Sequence, residues 1–140
     1  MSQILLGTIA VVVTGFVTQF LWRPYLRFRH LRHETIKRMT EFGNVRAQWK
    51  ETRQLEKMDI PASEQQRLQQ AESIYRDLAS QFRAFAENEW LAVRVVRWLG
   101  YDPLKASKGL IGMSNTVRIA SNNKPFQIKT VQTALGISEV

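Results

Sequence analysis

A chain of 140 residues without a single cysteine holds no disulfide, no thiolate nucleophile and no cysteine-ligated metal. Twenty Lys and Arg against twelve Asp and Glu leave a formal net charge of +8 and a pI near 10.3, a balance suited to an anionic partner such as lipid headgroups or nucleic acid. Beyond the first apolar run the length allows one small domain rather than two, and there are no internal repeats or low-complexity stretches.

Ile4 to Trp22 are nineteen consecutive positions without a charge, followed at once by Arg23-Pro24-Tyr25. As a helix rising ~1.5 Å per residue the run covers roughly 28 Å, close to the hydrocarbon thickness of a bilayer. Met1-Ser2-Gln3 carries no basic residue, and the exit Gln19-Phe20-Leu21-Trp22 has no small-residue cleavage site. The run therefore reads as a permanent anchor, not a cleaved signal peptide, and residues 1–22 are expected to form one transmembrane helix. Gly7, Val11, Thr14 and Thr18 share a face of it, with Gly15 alongside. Small residues let helices approach closely in lipid, so this face is the expected site of association with a second helix.

The excess charge lies just beyond this run. Residues 23–57 hold ten basic and four acidic groups, and six of the basic ones (Arg23, Arg27, Arg29, Arg32, Lys37, Arg38) fall within sixteen residues of the span. None precedes it. The positive-inside bias then predicts an N-terminus outside and a cytoplasmic C-terminal domain, a single-pass topology as in a bacterial inner membrane. Trp22 and Tyr25 stand where an aromatic belt is expected. Arg23, Arg27, Arg29 and Arg32 are the expected contacts of anionic headgroups, each contributing about 1 kcal/mol near the surface. Nucleic acid is the less favoured partner, because no recognition helix, zinc finger or aromatic–glycine motif accompanies the charge.

Within 23–57, a basic juxtamembrane helical segment, Ile36, Met39, Phe42, Val45 and Trp49 form a narrow apolar stripe, interrupted by Gly43-Asn44. Pro24 marks a kink or the first turn of a new helix. Asp59-Ile60-Pro61 predicts a turn, and Ser63 with Gln66 a capping box that opens the next helix. The region 58–140 is expected to be a helical domain packed on the juxtamembrane segment.

Leu68, Ala71, Tyr75, Leu78, Phe82 and Phe85 alternate steps of three and four, an a/d seam across almost three heptads. Such a seam requires a partner. The stripe of Ile36 to Trp49, folded back through the Asp59–Pro61 turn, is preferred over the same helix in a second subunit.

Trp90 to Leu99 is apolar apart from Arg94 and Arg97, too short to span a bilayer, and bracketed by Trp90 and Trp98. The expected state is a helix buried on most sides, with both arginines reaching solvent and Gly100 as its C-cap. The competing state is an interfacial helix with Trp90 and Trp98 at headgroup level and Arg94 and Arg97 on lipid phosphates. Asp102-Pro103 then reads as N-cap and first helical residue. The helix that follows carries Ala106, Leu110, Met113, Val117 and Ala120 on one stripe. Gly109 and Gly112 within it point to close approach of a neighbouring helix. Their match to a nucleic-acid-clamping GxxG loop fails on its apolar middle residues. Pro125 to Leu135, closed by Gly136, predicts one last short helix.

Chemistry is sparse. His30 and His33 stand three apart among arginines, a poor cation site. No glycine-rich phosphate loop occurs, no serine has a histidine in the C-terminal hundred residues to act as its base, and Glu87 and Glu89 fall on different helix faces. No catalytic residue, cofactor, metal ligand or small-molecule substrate is indicated. The expectation is an all-α protein: a transmembrane helix followed by a small cytoplasmic helical bundle or hairpin. Its expected role is a non-enzymatic interaction or assembly protein, a homo-oligomer or an accessory subunit of a membrane complex. The alternatives are a pore-forming, lysis or toxin-like effector and, behind it, a membrane-tethered nucleic-acid binder.

Overall fold

Residues without charge and residues rich in charge continue into each other as one helical rod. α1 (Ser2–Val17), a π-helical turn (Thr18–Trp22) and α2 (Arg23–Gly43) follow without a break, and Val17 and Arg23 both keep right-handed helical angles. The computed structural model describes residues 2–43, 62–117 and 124–137, and no strand occurs among the described residues. At ~1.5 Å per residue the rod is roughly 60 Å long. Its apolar part is long and apolar enough to cross a membrane, and almost none of it is covered by the rest of the protein.

The π turn has a local cause. Pro24 lacks an N–H, and its ring collides with the carbonyl four residues back, here that of Phe20. The helix absorbs this by widening: the Arg23 N–H donates to the Thr18 carbonyl, five residues back. Pro24 thus sits in the first turn of α2, one of its two expected places, and the helical path runs into it through one wide turn.

Among the described residues four further helices follow: α3 (Ala62–Asn88), α4 (Trp90–Trp98), α5 (Pro103–Thr116) and α6 (Lys124–Leu135). α3 starts at Ala62, so Ser63 lies in its first turn rather than at the expected cap position. Every member of the predicted seam is buried: Leu68, Ala71, Tyr75, Leu78, Phe82 and Phe85, joined by Ala79. Burying an aromatic or leucine side chain of this kind contributes about 1.5–3 kcal/mol each, as an upper estimate.

The partner of the seam differs in part from expectation. It lies in the same chain, but α5 packs on α3 more extensively than α2 does. Small residues make this possible. Ala79 and Ala106 are fully buried, and the Ser107 hydroxyl donates to the Ala79 carbonyl at 2.7 Å, so the two backbones meet closely. On α2 the buried positions are Pro24, Phe28, Leu31, Thr35 and Phe42, with Met39 partly covered. Ile36 lies at the flank; Val45 and Trp49 are outside the described residues. Thr35 hides this register from a purely apolar reading. Its hydroxyl donates to the Leu31 carbonyl at 2.8 Å, which lets a polar residue occupy a fully buried position. Phe28 meets the rings of Phe82, Phe85 and Tyr101 at 6.2, 5.7 and 5.4 Å, and Phe42 meets Tyr75 edge-on at 6.0 Å.

α5 carries Ala106, Leu110, Met113 and Val117 inward as predicted; Ala120 and the Asp59–Pro61 turn lie outside the described residues. Its two glycines face α6. A Cβ on Gly109 would stand 2.6 Å from a methyl of Val131, and one on Gly112 would collide with the Gln127 side chain. The pair therefore serves packing within the chain, and the expected last helix is the neighbour it meets.

Candidate membrane interface

Two caps fix the placement of α4. Gly100 has φ +89, a left-handed conformation that favours glycine. Its N–H donates to the Arg97 carbonyl at 2.9 Å and the Tyr101 N–H to the Val96 carbonyl at 3.1 Å, a complete Schellman closure. Immediately beyond, the Asp102 carboxylate accepts from the Lys105 N–H at 3.0 Å with Pro103 opening α5. The Asp102 N–H itself donates to the Ala134 carbonyl at 2.8 Å, tying this corner to the end of α6.

The helix held by these caps buries only one face: Ala92, Val93 and Val96. The expectation of burial on most sides does not hold. Trp90, Arg94 and Trp98, four residues apart, form an outward stripe, and Trp90 is 62% and Trp98 86% exposed. The Arg94 guanidinium lies 5.7 Å from the Trp90 ring centre. Val95, Arg97 and Leu99 are exposed beside the stripe.

α4 packs beside the Thr18–Trp22 turn, the last turn of the apolar run. Trp22, the last residue of that turn, is itself 57% exposed. Tyr25 stacks at 6.4 Å from Trp22 and is half-buried. Phe20 and Leu26 add exposed apolar surface on the rod.

Of the basic residues expected at headgroups, Arg23, Arg27, Arg29, Arg94 and Arg97 are exposed, and Arg23 donates to Gln19 Oε1 at 3.0 Å. Arg32 is different. Its Nε donates to the Leu135 carbonyl at 2.7 Å and its Nη2 to the Gly136 carbonyl at 3.1 Å, with the guanidinium 5.5 Å from the Tyr101 ring centre. It satisfies the negative C-terminal end of α6, a use within the fold for a residue expected at the headgroups. Further along α2, Arg38 bridges Glu34 and Glu41 at 2.7 and 2.8 Å, and its hydrogen bond holds the Glu34 carboxyl below the usual carboxylate range. The nearby acids of α3 and its exit are already occupied or set back. Glu87 pairs with Arg83 at 2.8 Å, and Glu89 is half-buried.

The anchor face presents Gly7, Val11, Thr14, Gly15 and Thr18 outward, and a Cβ at either glycine would meet nothing within 4 Å. The structure thus gathers the predicted residues into three places. The lipid-contact candidates other than Arg32 lie around the rod exit, the anchor face is open, and Leu68, Tyr75, Leu78, Phe82, Phe85, Gly109 and Gly112 are all used inside the bundle. Val95, Leu99, Leu26 and Phe20 join the exposed belt without having been singled out. Their only signal in the sequence is adjacency to a Trp or Arg.

Elsewhere the surface is chemically plain. His30 and His33 are exposed on α2, and among the described residues no three His, Asp or Glu side chains gather as metal ligands. The described lining of a shallow groove, Gln69, Glu72, Ser73, Arg76, Asp77 and Ser80, lies along α3. Comparison of the chain with protein families, with curated proteins and with solved structures finds no match in any of the three.

Proposed function

We propose that this protein is a single-pass, membrane-anchored and non-enzymatic assembly protein, which mounts a helical domain rigidly at the cytoplasmic face of a membrane. One observation carries the reading: the apolar rod continues without a joint into α2, whose Phe28, Leu31, Thr35 and Phe42 are part of the domain core. A domain that only needed to be near a membrane is served by a flexible linker. Here the anchor helix is itself a structural member of the domain, so whatever binds the anchor also orients the domain. The partner is a second membrane helix, from another copy or another subunit, meeting the Gly7–Thr18 face. The basic exit supports the cytoplasmic orientation.

The absence of cysteine makes the test clean. Single cysteines placed in turn at Val11, Val12, Thr14, Phe16 and Thr18 are oxidised in native membranes. Disulfide-linked dimers at Val11, Thr14 and Thr18 but not at Val12 or Phe16 are expected for a self-associating anchor. For a hetero-complex, a stoichiometric membrane protein co-purifies in mild detergent instead. A monomer with neither would refute the assembly reading, and a C-terminal cytoplasmic reporter that stays silent at Val140 would refute the orientation.

A second reading, a membrane-acting effector, is favoured by the two outward tryptophans of α4. Dye leakage from vesicles carrying the purified protein would support it; tight vesicles at the same loading would exclude it.

A further inference from the structure

A soluble helix that exposes two tryptophans wastes a large apolar area in water, and scattered single exposure does not describe α4. Trp90, Arg94 and Trp98 are aligned, Val95 and Leu99 widen the apolar surface, and Arg94 and Arg97 supply the charge. The opposite face of the same helix, Ala92, Val93 and Val96, is fixed in the domain core, so the outward stripe cannot turn inward. Its neighbour is the wide turn at Thr18–Trp22, where the apolar run ends and the arginines of α2 begin.

We propose that α4 is a second membrane contact, lying in the headgroup layer of the leaflet from which the anchor emerges, with anionic lipid as its ligand. Trp90 and Trp98 occupy the boundary between headgroup and hydrocarbon, where an amphipathic ring has one wet and one apolar side. Arg94 and Arg97 bind the phosphates, together with Arg23 and Arg27 of the rod. Three features select a lipid surface over a protein groove as the occupant. The stripe lies beside the end of the apolar run, its charges are positive, and its short helix is amphipathic with tryptophan on the outer side. The proposal rests on the anchoring reading above, and it adds a partner: two attachment points fix the tilt of the domain as well as its distance from the bilayer.

The experiment uses the full chain in vesicles, with and without an anionic phospholipid, in two single-tryptophan forms. One keeps only Trp98 (Trp22→Phe, Trp49→Phe, Trp90→Phe) and the other only Trp22. Each is exposed to lipids brominated high on the acyl chain and, separately, to aqueous iodide. Circular dichroism verifies that each form retains its helix content. The expected result is quenching of Trp98 by bromolipid and shielding from iodide in anionic vesicles. Arg94→Glu with Arg97→Glu weakens the docking by about fivefold or more per charge reversed. Quenched Trp22 with an iodide-open, unquenched Trp98 would overturn the inference and leave the anchor standing. Trp98 shielded from iodide yet untouched by bromolipid would also overturn it, since a protein surface then covers the stripe. Quenching indifferent to anionic lipid and to the double reversal would overturn the choice of ligand. An unquenched Trp22 would bring down the anchoring reading and this inference together.

Discussion

Gly109 and Gly112 sit three residues apart on one face of α5, yet alanine should act on them in opposite directions. In a helix interior, replacing glycine by alanine gains about 1 kcal/mol from backbone entropy, whichever glycine is replaced. The opposing term is steric and differs between the two. At Gly109 the new methyl stands 2.6 Å from the Val131 Cγ2 and 3.3 Å from the Val131 backbone N. Val131 is fully buried and branched at Cβ, so neither its rotamer nor its backbone yields cheaply. Overpacking of this kind costs about 1–3 kcal/mol, which cancels the gain or reverses it by up to about 2 kcal/mol. At Gly112 the obstacle is the Gln127 side chain from Cγ outward, flexible, half-buried and without backbone in the clash, so a change of rotamer relieves it and most of the gain survives. Gly109→Ala is therefore expected to be neutral to clearly destabilising and Gly112→Ala to be stabilising. The two are expected to lie about 1–3 kcal/mol apart, equivalent to several degrees in Tm for a domain of this size. Urea and thermal unfolding in mild detergent, followed by circular dichroism, measure the difference. Equal effects, or the reverse order, would refute the packing of α5 against α6 described here.

Phe82→Ala, at a fully buried position against Phe28, should destabilise by about 3–5 kcal/mol, whereas Gln70→Ala on the outer face of α3 should change the urea midpoint little. Burial raises the Tyr75 hydroxyl far above the ordinary tyrosine range, with a smaller push from Glu41. The folded protein thus holds Tyr75 neutral, and this contribution is intact below the unfolded value near ~10 and is lost as pH rises above it. Tyr75→Phe should remove that part of the alkaline loss of stability, seen by comparing unfolding midpoints at pH 8 and above ~10. Arg32→Lys keeps the charge but cannot reach both carbonyls in the same fork. Faster amide exchange at Gly136 and Ile137, with α3 unchanged, is the expected consequence; uniform exchange would show that Arg32 does not fasten the end of α6.

Period carries information only where polar residues do not occupy inward positions. The seam of α3 is legible because the expected positions from Leu68 to Phe85 are apolar and all buried. On α2 the expected stripe holds at Phe42 and in part at Met39, while Thr35 and Pro24, which also belong to the buried register, do not register as apolar in a stripe count. Gly100, Asp102, Pro103 and Gly136 announced their caps directly, since few residues can adopt those conformations. The belt was half legible. Trp90, Trp98, Arg94 and Arg97 could be named, but nothing local says which side of a short apolar helix the core will claim. That depended on Ala92, Val93 and Val96 meeting the bundle, a tertiary event. The carbonyls that Arg32 reaches are illegible for the same reason: they lie more than a hundred residues away.

A wide turn in a continuous helix also sets an angle. Successive residues advance about 100° around a helix axis, so the one additional residue accommodated at Thr18–Trp22 decides which compass direction the domain takes relative to the Gly7–Thr18 face. Because the helical path is continuous from α1 to α2, the rotational setting of the anchor face and that of the bundle are linked through this turn. Removing one residue from the turn, or adding one, would leave both ends folded and re-aim the domain by roughly a quarter of a revolution, lifting α4 off the side on which it now rests.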